Sequence, residues 1–289
     1  MNQLSLERRA AILRCLVDGA SIRATCRITR ASKNTVLKLL ADLGEMCALY
    51  QDHKLRNIAA RRIQCDEIWA FCGIKERNIP KGERVAEGQR RGDVWTWTAM
   101  DADSKLMVSW LVGSRRGPAA RTFIQDLHSR LANRVQLTTD GHTAYLHAVD
   151  RIFGADVDFA QLVKFYAREP SNRYSPPVCI GAEKIRQWGN PDPDHISTSY
   201  VERSNMTMRM GMRRFTRLTN GFSKKMENHA HAVALHFMHY NFCRAHETLT
   251  KAHPSRYPTT PAMAAGLADR TWTVEDVCAL LDPTKKIAQ

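Results

Sequence analysis

The chain has eight cysteines and no two of them spaced C-x-x-C. A zinc ribbon needs such close pairs, and a disulfide framework needs regular spacing. The thiols of Cys15, Cys26, Cys47, Cys65, Cys72, Cys179, Cys243 and Cys278 therefore read as reduced and mostly buried. The chain also lacks any apolar run near the ~18–20 residues of a membrane span, and its N-terminus is polar and charged, unlike a signal sequence. No membrane partner is expected. Internal repeats and low-complexity segments are missing too. The most local lack is of acid: from Arg203 to Met226 there is no Asp or Glu.

That acid-free stretch carries Arg203, Arg209, Arg213, Arg214, Arg217, Lys224 and Lys225, and a single carboxylate, Glu202, opens it. Nothing inside the segment balances its charge. The whole chain repeats the imbalance, with 43 Lys+Arg against 29 Asp+Glu and a net charge of +14. Such an excess attracts polyanions, with nucleic acid ahead of acidic membrane when no basic amphipathic anchor is present. At 289 residues with 44% hydrophobic content, the chain can build a catalytic domain and one small module.

Residues 1–50 read as three short helices. The first runs from about Ser5 to Val17, with Leu6, Ala10 and Leu13 at helical spacing, and Gly19 ends it. Ser21 and Ser32 are N-caps for the next two, and the third is predicted to stop at Gly44. Two helices joined by a tight turn match a helix-turn-helix, in which the start of the second helix faces base edges. Lys33, Asn34, Thr35 and Lys38 occupy that start. Residues 51–62 are predicted as a linker.

From Ile63 the texture becomes β-branched and aromatic. A strand over Ile63–Ile74 holds Asp66 and Glu67 at its centre, where an ionised carboxylate is costly unless paired or metal-bound. Alternation assigns Glu67 to the opposite face from Asp66, as a solvent-paired or structural residue. A basic loop over 75–91, with Lys75, Arg77, Lys81, Arg84, Arg90 and Arg91, is expected to hold DNA backbone. Strands over Val94–Ala99 and Lys105–Val112 complete a meander, with Trp95 and Trp97 as core residues. A helix over Pro118–Leu131 precedes a strand at Val135–Thr139, which ends in Asp140. Strand C-terminal ends are where open α/β sheets place ligands. Tyr145–Phe153 reads as a helix. Residues 154–195 are the least legible, with one strand near Leu162–Tyr166. A long helix then carries the basic segment, breaks near Asn220–Gly221 and resumes over Lys224–Ala245. Its histidines are expected to be structural or DNA-facing, because His229 and His231 point apart on a helix.

Asp66, Asp140 and Glu202 can converge if the first and fourth strands lie side by side and the later helix drops its acid beside them. Three carboxylates at one point repel each other unless a hard divalent cation neutralises them, and Mg²⁺ or Mn²⁺ suits such an open oxygen site. Two ions about 3.5–4 Å apart would serve an in-line phosphodiester displacement. His142 and Asn205 are the expected supporting residues.

The strings CDEIWAF, TTDGHTAY and SYVERSN, the last followed by Arg209, resemble the signatures of DDE-type bacterial insertion-sequence transposases, in particular the family of the first-described insertion sequence. The likeness spans roughly residues 62–245 and the TPA-type tail. It implies an α/β fold: an RNase H-like mixed five-stranded sheet flanked by helices (63–245), after a small all-α helix-turn-helix domain (1–50), with a C-terminal helical tail (246–289). It further implies Asp66, Asp140 and Glu202 as metal ligands and Arg209 as a DNA-positioning residue. The expected partners are double-stranded terminal repeats and target DNA, bound by a homodimer or larger assembly in the cytoplasm, at the bacterial nucleoid. Members of that family often carry a cysteine-rich zinc element ahead of the helix-turn-helix, and this chain has none. An RNase H-like nuclease or resolvase and a catalytically retired DNA-binding regulator are the alternatives.

Overall fold

A computed structural model describes residues 4–80, 91–167, 178–216 and 219–282. Three helices come first: α1 (Leu6–Val17), α2 (Ile22–Thr29) and α3 (Lys33–Lys54). Ser5, Ser21 and Ser32 cap them, each hydroxyl accepting from a backbone N–H three residues on, which satisfies one of the donors a helix start leaves open. Then follow β1 (Arg62–Cys72), β2 (Gly92–Asp101), β3 (Met107–Gly113), α4 (Gly117–Arg130), β4 (Gln136–Asp140), α5 (Thr143–Phe153), β5 (Asp158–Ala167) and β6 (Val178–Trp188). The C-terminal third supplies α6 (Ser199–Gly211), α7 (Met226–Met238), α8 (Glu247–Ala252), α9 (Pro261–Ala264) and α10 (Val274–Cys278).

The strands form one mixed sheet in the order β3-β2-β1-β4-β5-β6. β1, β2 and β3 pair antiparallel as a meander, β1–β4 and β4–β5 pair parallel, and β6 returns antiparallel on β5. The sheet therefore has six strands where five were expected. The sixth lies in the stretch the sequence left least legible, because its residues are almost all exposed and show no buried face to read as alternation.

Helices cover both faces. Trp97 turns to one face and meets Phe123 of α4 and Tyr145 of α5. Trp110 turns to the other and meets Phe237 of α7. Trp97 is fully buried, as expected, whereas Trp95 is only half-buried. At the free edge of β3, Asn241 accepts from the Met107 N–H and donates to its carbonyl, both at 3.0 Å. That bond pair blunts an edge strand that would otherwise present open backbone groups.

Two helix boundaries differ from expectation. α3 does not stop at Gly44 but continues to Lys54, into the stretch read as linker. Gly44 is instead where α3 crosses α7: a Cβ there would sit 2.4 Å from the Cβ of His231 and 2.6 Å from its Cα. Glycine is required by a close helix–helix approach, and a packing glycine looks like a terminator in sequence alone. The basic helix also ends earlier than expected, at Gly211, followed by a 3₁₀ turn at Arg213–Phe215. α7 then starts at Met226 and closes in a π-helical turn over His239–Cys243.

The apolar core runs without a break from Ala10, Leu13, Val36 and Leu43 through Cys65 and Phe159 to Phe242 and Cys278. The first helices therefore share the core of the sheet. α10 closes back on α1, where Arg9 donates to the Cys278 carbonyl at 3.2 Å and to Asp282 at 2.9 Å.

Replacing Gly44 with Ala forces the α3–α7 backbones apart, because the new methyl meets main-chain atoms of His231. The expected loss is on the order of 1–3 kcal/mol, read as a lower denaturant midpoint at unchanged slope; an unaltered midpoint would refute the contact.

Candidate functional site

The parallel pairing of β1 with β4 ends at Gln64 opposite Thr138. Carried two residues further, that register sets Asp66 level with Asp140 just where the strands part. Asp140 is in turn level with Leu162 of β5. The gap at the strand ends opens into a cavity of about 1290 Å³ whose lining includes Asp66, Glu67, Asp140 and, from α6, Glu202. The three expected acids are thus brought to one place, joined by Glu67, as are the two supporting residues His142 and Asn205 and the cation Arg209.

α6 is held over β1 by two side chains of that strand. Gln64 Oε1 accepts from the N–H groups of Tyr200 and Val201 at 2.9 and 3.2 Å, capping the helix start. Two residues on, Asp66 Oδ2 accepts from Asn205 Nδ2 at 2.8 Å, and Asn205 Oδ1 is 3.4 Å from the Thr98 hydroxyl. Gln64, Asp66 and Thr98 all face α6, so one strand face fixes the helix that delivers Glu202.

Burial raises the Asp66 carboxyl to about 7, helped by the charges of Glu67 and Asp140 and opposed by the Asn205 bond. Glu67 is raised as well, first by burial and then by Asp140, with Arg115 and Tyr145 pulling it back. Both shifts report carboxylates crowded in a low-dielectric pocket.

Of the two readings of Glu67, solvent-paired or structural, only the second fits the structure. Glu67 does lie on the face away from α6, yet its side chain is 1% exposed, so it is not solvent-paired. Arg115 Nε donates to it at 2.6 Å and the Tyr145 hydroxyl at 3.1 Å. Oxygens of Asp66, Glu67 and Asp140 lie within 4.8 Å of one another, a grouping that could hold a metal ion. Glu202 stands apart from that trio. Its two oxygens accept from Lys164 Nζ at 2.5 and 2.6 Å, and Oε1 also accepts from the Thr198 hydroxyl at 2.5 Å.

His142 closes the other side. Its backbone N–H donates to Asp140 Oδ1 at 3.0 Å, and its ring stacks on Trp97 with Nε2 3.2 Å from the Arg115 carbonyl. Arg115 lies over the Trp95 ring at 4.5 Å and is 3.7 Å from Asp140.

The expected DNA contacts divide. Lys33, Asn34 and Lys38 are exposed at the start of α3, with Lys38 bonded to Asp42 at 2.6 Å, while Thr35 bonds back to Ser32 at 2.8 Å. Arg203, Arg213 and Lys224 are exposed. Arg214 is a correction: it turns inward to donate to Ser223 at 2.7 Å, and burial pulls its guanidinium down to about 10. Arg217 lies outside the described residues, as do Lys81, Arg84 and Arg90 of the basic loop. His229 and His236 are buried, and burial lowers each ring to about 3, so both are neutral core residues.

No family profile and no curated protein matches this chain. Among solved structures, a Mos1 strand transfer complex is similar at 12% identity over 55% of this chain and 59% of that one, with a TM-score of 0.24. A Mos1 mariner paired-end complex with Mn is similar at 12% identity over 82% and 76%, with a TM-score of 0.30. A piggyBac transposase synaptic complex with hairpin DNA is similar at 11% identity over 97% and 71%, with a TM-score of 0.40. The chain spans 59% and 60% of the length of the first two Mos1 complexes it matches. At such identities and TM-scores these likenesses carry no weight for what this chain does.

Sequence reasoning missed Arg115, Tyr145 and Lys164, and set Glu67 aside. The acid at 67 and the Arg115–Arg116 pair after β3 are visible as residues, but only the fold brings them together. Lys164 falls in the strand predicted near Leu162–Tyr166, but nothing in the sequence pairs it with Glu202.

The folded chain keeps a proton on Asp66 between its ordinary value of 3.8 and about 7, where the unfolded chain has released it. That stabilising proton is lost as pH rises through 7. Asp66→Asn is therefore expected to stabilise the metal-free fold by up to about 4 kcal/mol at pH ~8 and by almost nothing below pH ~4. Denaturant melts at the two pH values test this; an equal effect at both would refute it.

Proposed function

We propose that this chain is a DNA transposase of the DDE type, an RNase H-like catalytic core that cleaves and joins DNA strands with Mg²⁺ or Mn²⁺. The observation that carries the reading is the convergence of Asp66, Asp140 and Glu202 on one cavity from two adjacent parallel strands and a helix of basic character. Among the described residues the grouping that could hold an ion is made of carboxylates, Asp66, Glu67 and Asp140, and hard divalent cations prefer that set. Asp66 shares its site with Glu67 and Asp140 at separations where all three cannot ionise unopposed, so the donors present fit such a cation.

A divalent cation bound there would activate the attacking oxygen and offset charge on the leaving one. The chain's own groups do the rest. Asp66 presents its oxygens from within β1 and Asp140 from the end of β4, Gln64 and Asn205 hold α6 in register, and Arg115 orients the buried Glu67. Water attacks a phosphodiester at the element end, the P–O3′ bond breaks, and the 3′-oxygen leaves as a hydroxyl. That hydroxyl then attacks a target phosphodiester, forming a new P–O3′ bond and releasing another 3′-hydroxyl. Arg209 borders the cavity, and Arg203, Arg213 and Lys224 are exposed cations of the same segment, suited to duplex phosphates on either side.

The exposed start of α3, with Lys33, Asn34, Thr35 and Lys38, would read terminal repeats as a helix-turn-helix. Holding two ends together calls for a homodimer or larger assembly on DNA. The finer assignment to the insertion-sequence family of the first-described element rests on the quoted motifs.

Labelled duplex bearing the flanking terminal repeats, plasmid target and Mg²⁺ or Mn²⁺ supply the assay. Joined product is expected from the wild type. Asp66→Asn, Asp140→Asn and Glu202→Gln should each reduce cleavage by about 100-fold or more with DNA affinity nearly unchanged. Nicking without joining would identify a nuclease, and salt-sensitive binding with no metal-dependent chemistry a retired regulator.

A further inference from the structure

Besides Arg209, two cations already stand among the acids of the cavity, and they are held very differently. Arg115 is anchored from several sides: its Nε bonds the buried Glu67, its guanidinium lies on Trp95, and its carbonyl meets the His142 ring. Lys164 is a flexible stem on β5, two residues past the Leu162 that pairs with Asp140. Among the described residues its ammonium bonds only Glu202, taking both oxygens at 2.5 and 2.6 Å. Burial works against its charge, and the Glu202 bond offsets that only together with the charges of Glu202, Tyr166 and Asp66, leaving Lys164 raised. As long as this pair is closed, Glu202 is spent on an internal cation and stays outside the Asp66–Glu67–Asp140 grouping.

We propose that Lys164 serves the cavity twice. In the unloaded chain it holds Glu202 aside, and when a divalent cation claims Glu202 the displaced ammonium contacts a non-bridging oxygen of the phosphodiester undergoing attack. The inference rests on the transposase reading given above. Its physical basis is competition: an ammonium that takes both oxygens of one carboxylate occupies the sites a divalent cation would use, and like charges at contact distance repel. A lysine released from such a pair keeps its charge and three donors on a four-carbon stem, and re-aims without backbone movement. With the carboxylates of the cavity taken up by the cation, the anion left for the ammonium is the phosphate, since Asp66, Asp140, Lys164 and Glu202 surround one space. Lys164 would thus be a phosphate-contacting residue that no sequence motif announces.

The two roles have opposite signs, which makes them separable. Lys164→Met removes the charge while keeping the stem. Calorimetric titration of the full chain with Mn²⁺ alone should then show affinity at least about threefold tighter than wild type, because the internal competitor is gone. Cleavage of terminal-repeat duplex should fall about 100-fold. Lys164→Arg, which keeps a cation, should recover most of both wild-type values and guards against misfolding of the Met variant. Weaker Mn²⁺ binding in Lys164→Met with Lys164→Arg behaving as wild type would overturn the proposal, because Lys164 would then only support the ligand geometry. Tighter Mn²⁺ binding with full cleavage would also overturn it, leaving Lys164 a placeholder without a phosphate role. Wild type that binds Mn²⁺ but cleaves no DNA would bring down the transposase reading itself, and this inference with it.

Discussion

Four carboxylates in one pocket are the constraint around which this molecule is arranged. Asp66, Glu67, Asp140 and Glu202 all border the cavity where β1 and β4 part. Each would be costly to bury alone. The fold meets that cost with neighbours: Asn205 on Asp66, Arg115 and Tyr145 on Glu67, the His142 N–H on Asp140, and Lys164 with Thr198 on Glu202. Even so, Asp66 is pushed up to about 7 and Glu67 is raised. The residual imbalance is an affinity for positive charge, whether a proton or a cation.

The rest of the chain serves to hold that crowding in place. Parallel strands supply rigid, level positions for the two aspartates. The antiparallel β2 backs β1, setting Thr98 opposite Asp66. α6 would be a poorly amphipathic basic helix on its own, and it is Gln64 and Asp66 of β1 that dock it. Behind it, α7 packs on α3 through the bare backbone at Gly44, and Asn241 ties the end of α7 to β3. Glu202 is therefore positioned by a chain of contacts reaching into the N-terminal helices.

Much of this was legible from residue order. Helix starts were readable because a serine hydroxyl is a local device: Ser21 and Ser32 cap as expected, and Ser5 caps the first helix in the same way. The meander, the β4 strand and the position of Asp140 at its end followed from alternation and turn residues. Asp66, Asp140, Glu202, Asn205, His142 and Arg209 do share one cavity. The failures are of another kind. Gly44 reads as a stop because a glycine needed for close approach and one needed for a helix end are the same letter. β6 is exposed on both faces, and Arg214 belongs to a basic run in which Arg203, Arg213, Lys224 and Lys225 are exposed.

The sequence by itself determined which groups exist and which local elements carry them: acids on strands, serines at helix starts, cations without acids after Glu202. Those outcomes depend on φ/ψ preference and on neighbours within a few residues. The tertiary structure alone decided who meets whom. That Glu67 is buried under Arg115 and Tyr145, that Arg214 turns inward, and that Lys164 closes on Glu202 depend on strands and helices far apart in the chain. Electrostatic pairing falls off with distance through space, and sequence spacing is blind to that distance.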